Sequence, residues 1–404
     1  MLVHWIWYAM LPKLSLKQKT ALLEHFSDPE DIFCCEDFTR VPGITSQMAD
    51  ALENKDLTAA QSVLMECRQK DIGILTVLDA AYPKRLHNIH EPPILLYYKG
   101  NLPDFEKQPV IGVVGTRKAS GYGLNNARQM AAQITSCGGL VVSGGAGGID
   151  SKALEGALEA GGPAVAVLGC GVDVVYPRNN RLLFSKIQAN GCLISEYLPG
   201  TEPKPWQFPE RNRIISGLSN GVLVVEAPER SGALITAKDA FEQGREVFVV
   251  PGNIGVASGV GSNKLLQEYG TAVLSGWDVL REYAPLYPDI AEKPDYISTA
   301  NPADFAFAKV AQQSAAPRDF AETDKKDVDN PQVNAYSDLE NVQICKGDTE
   351  GRIMACLDAT PIPVDDLIAR VGIPAAELLP ILTKMALKGM VINHPGRLVS
   401  VRNY

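Results

Sequence analysis

Seven short apolar runs, PVIGVVG, GLVVSGG, AVAVLG, CLISEY, GVLVVEA, EVFVVPG and TAVLSG, recur through residues 109–283 and constrain the fold more than any other feature. They lack clean alternation of apolar and polar residues, the mark of strands covered on both faces. Between them lie amphipathic helical stretches such as LNNARQMAAQITSC, DSKALEGALEAG and ALITAKDAFEQG. Strand-helix alternation of this regularity predicts an α/β fold, an extended Rossmann-like, doubly wound sheet with mostly parallel strands.

The flanking segments read differently. Residues 1–100 predict a helical domain of the helix-hairpin-helix or SAM-like kind. KLSLKQKTALLEHF has helical apolar spacing, and RVPGITSQMADALENKD joins a tight VPGI turn to a further helix. Backbone amides at such a helix start can hold a phosphate; a plain helical packing unit fits the residues equally well. DIGILTVLDAAYPKRLHNIHEPPILLYYKGN then predicts extended segments leading into the sheet domain. From 284 to 344, prolines at 285, 288, 294, 302, 317 and 331 and the unpatterned AETDKKDVDN predict a linker. Residues 345–404 carry three helical stretches, GRIMACLD, VDDLIARVG and AAELLPILTKMALKG, and a hairpin, MVINHPGRLVSV. Three helices before a hairpin predict a winged helix.

Composition narrows the function classes. With 46% hydrophobic and 21% charged residues, wholesale disorder is excluded. MLVHWIWYAML is apolar but short, with no basic stretch before it and no small-residue cleavage site after it, so it reads as a first helix rather than a signal peptide. No run is long enough to span a bilayer, so a cytoplasmic protein without a membrane partner is expected. The eight cysteines are scattered without a C-x-x-C pair, which predicts reduced thiols rather than zinc. His87 and His90 lie in a polar turn before Pro92 and Pro93 with no nearby acidic or thiol cluster, so no metal is expected. The net charge of −9 decides nothing about nucleic acid, because exposed charges are screened beyond about 8 Å and a local basic groove can coexist with an acidic remainder.

Ligands of parallel sheets collect at the carboxyl ends of strands, and four sequence features should converge there. GTRKASGYG brings glycines for close backbone approach beside Arg117 and Lys118. SGGAGGIDSKA supplies Ser143, Gly144 and Gly148 as an anion nest at a helix start. Lys152 follows in the first helical turn, where it opposes the helix dipole unless an anion is bound. GCGVDVVYPRNNRLL carries Arg178 and Arg181. PKPWQFPERNRIISG places Trp206 and Phe208 ahead of Arg211, Asn212 and Arg213. Aromatics interleaved with arginines suit single-stranded nucleic acid: bases stack on rings, at about 1–3 kcal/mol each, while arginines hold phosphates.

The ordered set GTRKAS.YG, SGGA.GID, GALEAGG, AVLGCG.D..YP..N..L, ISEY.PGT.P, FP.RNRIISGLS...LVVEA...SG.LITA..A.EQGREVF.VPG and G.N.L resembles the DprA/Smf (DNA-processing) family throughout residues 109–283. The resemblance implies an extended Rossmann fold that binds single-stranded DNA, acts as a homodimer and loads the RecA recombinase during natural transformation, without a cofactor. It implies a phosphate contact for Arg117, base stacking for Phe208, and DNA contacts for Arg211, Asn212 and Arg213. This chain departs from the family at Thr116, where serine is usual, at Gly147, where a charged or bulky residue is common, and at Leu154, where many members carry histidine.

An enzyme acting on nucleotides is the main alternative. Phosphoribohydrolases of related fold use a PGGxGTxxE loop, whereas PGNIGVASG here lacks the paired glycines and the glutamate. A dinucleotide site needs G-x-G-x-x-G, a spacing GTRKASGYG does not have, and there is no Walker A lysine loop. Asp150, Glu196 and Glu226 follow strands, as catalytic acids would; capping of its helix by Asp150 and orientation of the arginines by the two glutamates are the preferred readings. The expectation is a binding protein, not an enzyme.

Overall fold

The computed structural model describes residues 1–38, 41, 43–292 and parts of 349–401. The described residues fall into two compact units, one covering those up to 292 and one those from 349.

Nine strands form the sheet of the first unit: β1 (Gly73–Thr76), β2 (Leu95–Gly100), β3 (Val110–Val114), β4 (Leu140–Ser143), β5 (Ala164–Val167), β6 (Cys192–Ser195), β7 (Gly221–Val224), β8 (Glu246–Val249) and β9 (Thr271–Ala272). Their spatial order is β1-β2-β6-β5-β4-β3-β7-β8-β9. The seven strands from β3 to β9 are those the apolar runs predict, and they pair in parallel. The extended segments foreseen ahead of them are β1 and β2, which join the same sheet as an antiparallel edge.

Strand side chains divide between two cores with a period of two, as pleating requires. Ile111, Val113, Val141, Ala166, Leu193 and Leu223 face one side. That side is covered by α6 (Gly121–Ser136), α7 (Ile149–Glu159), α8 (Arg181–Asn190) and α12 (Gly276–Leu280). Val110, Val114, Val142, Val165, Ile194, Val222 and Val249 face the other, under α9 (Gln207–Leu218), α10 (Gly232–Glu242) and Leu265 of α11 (Val260–Glu268). Because both faces are covered, every residue of β3 to β7 is buried. That explains why these runs show no polar alternation in sequence.

The front of the chain folds as α1 (Leu2–Met10), α2 (Leu16–His25), α3 (Pro29–Cys34), α4 (Ser46–Leu52) and α5 (Thr58–Gln69). Trp5, Ile6, Trp7, Tyr8, Leu22, Ile32 and Leu52 are buried in a core continuous with the α6/α7 side of the sheet. The Ser15 hydroxyl and Gln18 close a capping box at the start of α2. At the VPGI turn, Gly43 has φ +82°, and the Thr45 hydroxyl takes the Met48 amide, so α4 begins with a side-chain cap; residues 39, 40 and 42 lie outside the described residues. His87 packs at a tilt against Tyr82, ring centroids 4.9 Å apart. Cys67, Cys137, Cys170 and Cys192 are buried free thiols.

The proline-broken stretch starts as packed chain. Arg85 donates to the Tyr287 hydroxyl at 3.0 Å, Ile290 is buried, and the Ala291 amide donates to the Cys137 carbonyl. Ala284, Tyr287 and Ile290 dock here at intervals of three, too short a run, with prolines between them, for periodicity to reveal. Residues 293–344 of the predicted linker lie outside the described residues.

The second unit has a helix α13 (Thr349–Ala355) and a three-stranded antiparallel sheet of β10 (Ile362–Pro363), β11 (Val391–His394) and β12 (Leu398–Val401), ordered β10-β12-β11. Ile353, Leu357, Leu367, Val371, Leu382, Met385, Val391 and Val399 form its core. The hairpin β11-β12 is the predicted wing; Arg397 within it, and Glu377 and Pro380 before it, lie outside the described residues. No helix among the described residues is long and apolar enough to cross a membrane.

Candidate functional site

A doubly wound sheet opens a crevice outside the carboxyl ends of its strands where the winding reverses. Here β4, β5 and β6 extend from one side of β3, and β7, β8 and β9 from the other. A cavity of about 810 Å³ opens at that point. Its walls are the loop after β3 with Arg117 and Lys118, Ala146 and Asp150 after β4, and Tyr176 after β5. The entry to α9 from Pro203 to Asn212 and the start of α10 from Arg230 to Ala233 close it.

Arg117 and Lys118 are exposed on the cavity's rim. Neither has an ion-pair partner among the described residues. The Arg117 guanidinium carbon lies 4.9 Å from the centroid of the Phe208 ring, a cation-π contact. Phe208 is half-buried, and its ring is 5.5 Å from that of Tyr176 at an interplanar angle of 39°. The free cations, the paired rings and the α10 start therefore face one space.

The glycine loop after β4 serves a different purpose from the one predicted. Ser143 is fully buried and its hydroxyl donates to the Val113 carbonyl at 2.6 Å, so it joins β4 to β3 and offers nothing to a ligand. Gly148, with φ +81°, starts α7, and a Cβ there would stand 2.4 Å from the Thr116 carbonyl oxygen. It brings the β3 and β4 loops together at a distance only glycine permits. Gly144 is equally confined: a Cβ would meet an Arg211 nitrogen and an Asp150 oxygen, both at 2.6 Å.

That contact explains Arg211, which corrects the sequence reading. The residue is 4% exposed. Its Nη1 donates to the Gly144 carbonyl at 2.6 Å and also to the Val167 carbonyl, so it laces the ends of β4 and β5 together. Burial lowers its pKa to about 10, against the pull of Asp150, so the guanidinium is charged at neutral pH. Burial raises the Asp150 carboxyl above its ordinary range while Arg211 draws it back. Asp150 is not a helix cap either: Gly148 holds that position, and the Asp150 carboxylate accepts the Ala146 amide at 3.4 Å. Asn212, 8% exposed, reaches the cavity wall and donates to the Gly232 carbonyl.

Three further predicted contacts lie off the cavity. Lys152 bonds Glu155 on its own helix at 2.5 Å, and that carboxylate offsets its unfavourable place near a helix start. Arg178 is exposed on the turn before α8 and Arg181 at its first position, and neither lines the cavity. Asn180 between them is buried and donates to the Gly145 carbonyl and the Ser151 hydroxyl, both at 2.9 Å, which fixes the glycine loop.

Arg213 turns away altogether. Its Nη2 donates to both Glu196 oxygens, at 2.9 and 2.7 Å. It lines a second cavity of about 810 Å³ on the other side of α9, together with Trp206, Tyr197 and Glu210. Of the two glutamates foreseen as orienting arginines, Glu196 does so; Glu226 instead accepts the Ser120 amide ahead of α6. Sequence reasoning missed Tyr176 and Arg230. The first stood in the motif GVDVVYP beside arginines that drew the assignment; the second directly precedes Ser231, the cap of α10.

A doubly wound sheet whose switch-point cleft carries free cations against aromatic rings, with a separate winged helix, defines a class of Rossmann-like ligand-binding proteins. Residues 73–284 match the family model for DNA recombination-mediator protein A, and residues 345–397 match the DprA winged helix domain. Protein Smf of Synechocystis is 35% identical over 338 residues, 82% of this chain and 81% of the relative. Protein Smf of Escherichia coli is 31% identical over 361 residues, 89% and 86% of the two chains. The X-ray structure of DNA processing protein A from Streptococcus pneumoniae superposes with a TM-score of 0.58 at 34% identity, over 70% of this chain and 98% of that one. The chain belongs to the DNA recombination-mediator protein A family.

Proposed function

We propose that the cleft at the sheet's switch point binds single-stranded DNA. The observation that carries this reading is the unpaired Arg117 guanidinium lying over the Phe208 ring inside a cavity of about 810 Å³. An arginine braced on an aromatic ring is held out for a phosphate, and the ring wall beside it suits unpaired bases, which present their flat faces only when single-stranded. Arg117, Lys118 and Arg230 hold the backbone, with the α10 start adding oriented amides. Ser143, Gly144, Gly148, Arg211 and Asn212 shape the cleft.

Family membership supports a role in DNA processing during transformation, as a homodimer that delivers the bound strand to the RecA recombinase. This is a binding and loading function without catalysis or a cofactor. Electrophoretic shift of oligo-dT in competition with blunt duplex tests the first part. Strong preference for the single strand, with the salt slope of a phosphate-dominated complex, about 0.7 per neutralised phosphate, supports it; equal affinity for both overturns it. Recombinase loading is tested by RecA-dependent ATP hydrolysis on single strands precoated with a single-strand-binding protein.

A further inference from the structure

Two aromatic rings line the cleft, and they differ in what they offer a ligand. Phe208 is half-buried and already engaged. Arg117 lies over it at 4.9 Å, Tyr176 packs beside it at 5.5 Å, and the Gly169 backbone comes so close that a Cβ there would stand 3.0 Å from the ring edge. Tyr176 is the outer ring, 39% exposed. Trp206 is more exposed but faces the other cavity, edge-on to Tyr197 at 6.3 Å.

The loop that carries Tyr176 is fixed on both sides. Before it, one Asp173 oxygen takes Lys70 of the helical front at 2.5 Å and the other takes the Gly200 amide at 2.8 Å. After it, Asn180 is bonded into the glycine loop. A ring presented on a loop held this way loses little freedom when a ligand stacks on it, which favours affinity.

We infer that Tyr176 is the ring on which bases of the bound strand stack, while Phe208 is a positioning residue that holds Tyr176 and Arg117 in place. The inference rests on the cleft being the single-strand site and names the group within it that reads the base. Phosphate contacts and base contacts then separate on two side chains. Arg117 meets the backbone whether or not a base is present, and Tyr176 matters only where there is a base.

That separation supplies the test. Fluorescence anisotropy is measured for a short oligo-dT and for an oligonucleotide of equal length built of abasic sugars. Tyr176→Ala is expected to weaken oligo-dT about tenfold, the low end of one stacked base, and to leave the abasic strand within about twofold of wild type. Tyr176→Phe keeps the ring and should restore oligo-dT binding. Phe208→Leu should weaken both strands, because it releases Arg117 as well. Equal losses on both strands with Tyr176→Ala, or an unchanged affinity for oligo-dT, would overturn the assignment. Failure of the wild-type protein to bind oligo-dT would instead overturn the function proposed for the cleft.

Discussion

Helix α9 separates two cavities of the same volume, about 810 Å³ each, that differ in charge. The cleft is lined by Arg117, Lys118, Arg211 and Arg230 with one acid, the buried Asp150. Across the helix, Arg213 and His90 meet Glu91, Glu196, Glu210, Asp239 and Glu242. A polyanion fits the first and is repelled by the second, so size does not choose the site; placement of charge does. The division follows helical spacing. Phe208, Asn212 and Ile215 face the cleft, while Trp206, Glu210 and Arg213 face the other cavity, each set at separations of three or four residues. A motif that reads as one basic cluster, RNR, is therefore pulled apart by the helix it sits in.

The largest effects should come from the two arginines bonded within the protein, Arg211 and Arg213. Arg211→Ala strands a buried Asp150 and leaves two strand-end carbonyls without a donor, and should cost about 3 kcal/mol or more of stability. Urea unfolding reads this loss; a melt within about 0.5 kcal/mol of wild type would show that Arg211 is not a brace. Arg213→Ala should likewise destabilise, by leaving the half-buried Glu196 without its partner, yet leave oligo-dT affinity nearly unchanged when measured below the melting range. A large loss of affinity in a folded Arg213→Ala protein would erase the distinction between the two cavities.

Next in size, Arg117→Glu should weaken oligo-dT binding about a hundredfold, or about 2.7 kcal/mol, with the melting curve unmoved because the residue is exposed. Arg117→Ala should fall well short of that and lower the salt slope by about 0.7. Identical behaviour of the two variants would argue against a phosphate contact.

The smallest effects are expected off the cleft. Lys152→Ala removes a side chain already paired with Glu155, and oligo-dT affinity should stay within about twofold. The winged helix gives a similar expectation. Lys384 and Lys388 both lean on Glu350, at 3.6 and 2.9 Å, so two of the exposed cations on the described part of that unit are already paired. Removing everything after Glu340 should change oligo-dT affinity only a few-fold.

The sheet was legible because strands buried on both faces must be largely apolar, and β3 to β7 all carry that mark, while β8 and β9 follow it only in part. β1 and β2 were readable only as extended chain, since an antiparallel edge reached from the helical front has no repeating signature. For the site, Arg117, Lys118 and Phe208 lie on the cleft the motifs indicated. Ser143, Lys152, Arg211 and Arg213 could not be placed from sequence, because a charged or polar side chain in a motif looks the same whether it faces a ligand or a buried carbonyl. Only the direction of the side chain separates the cases, and that is fixed by contacts distant in sequence: Gly144 and Val167 for Arg211, Glu196 for Arg213.

Photocrosslinking tests the central claim most directly. An oligo-dT carrying 5-iodouracil is irradiated in complex with the full-length protein, and the attached peptides are identified by mass spectrometry. Crosslinks should fall on the segments that line the cleft, those containing Tyr176, Phe208 and Arg230, and should vanish with Arg117→Glu. Crosslinks concentrated beyond residue 345, or on Trp206 and Tyr197 across α9, would contradict the account.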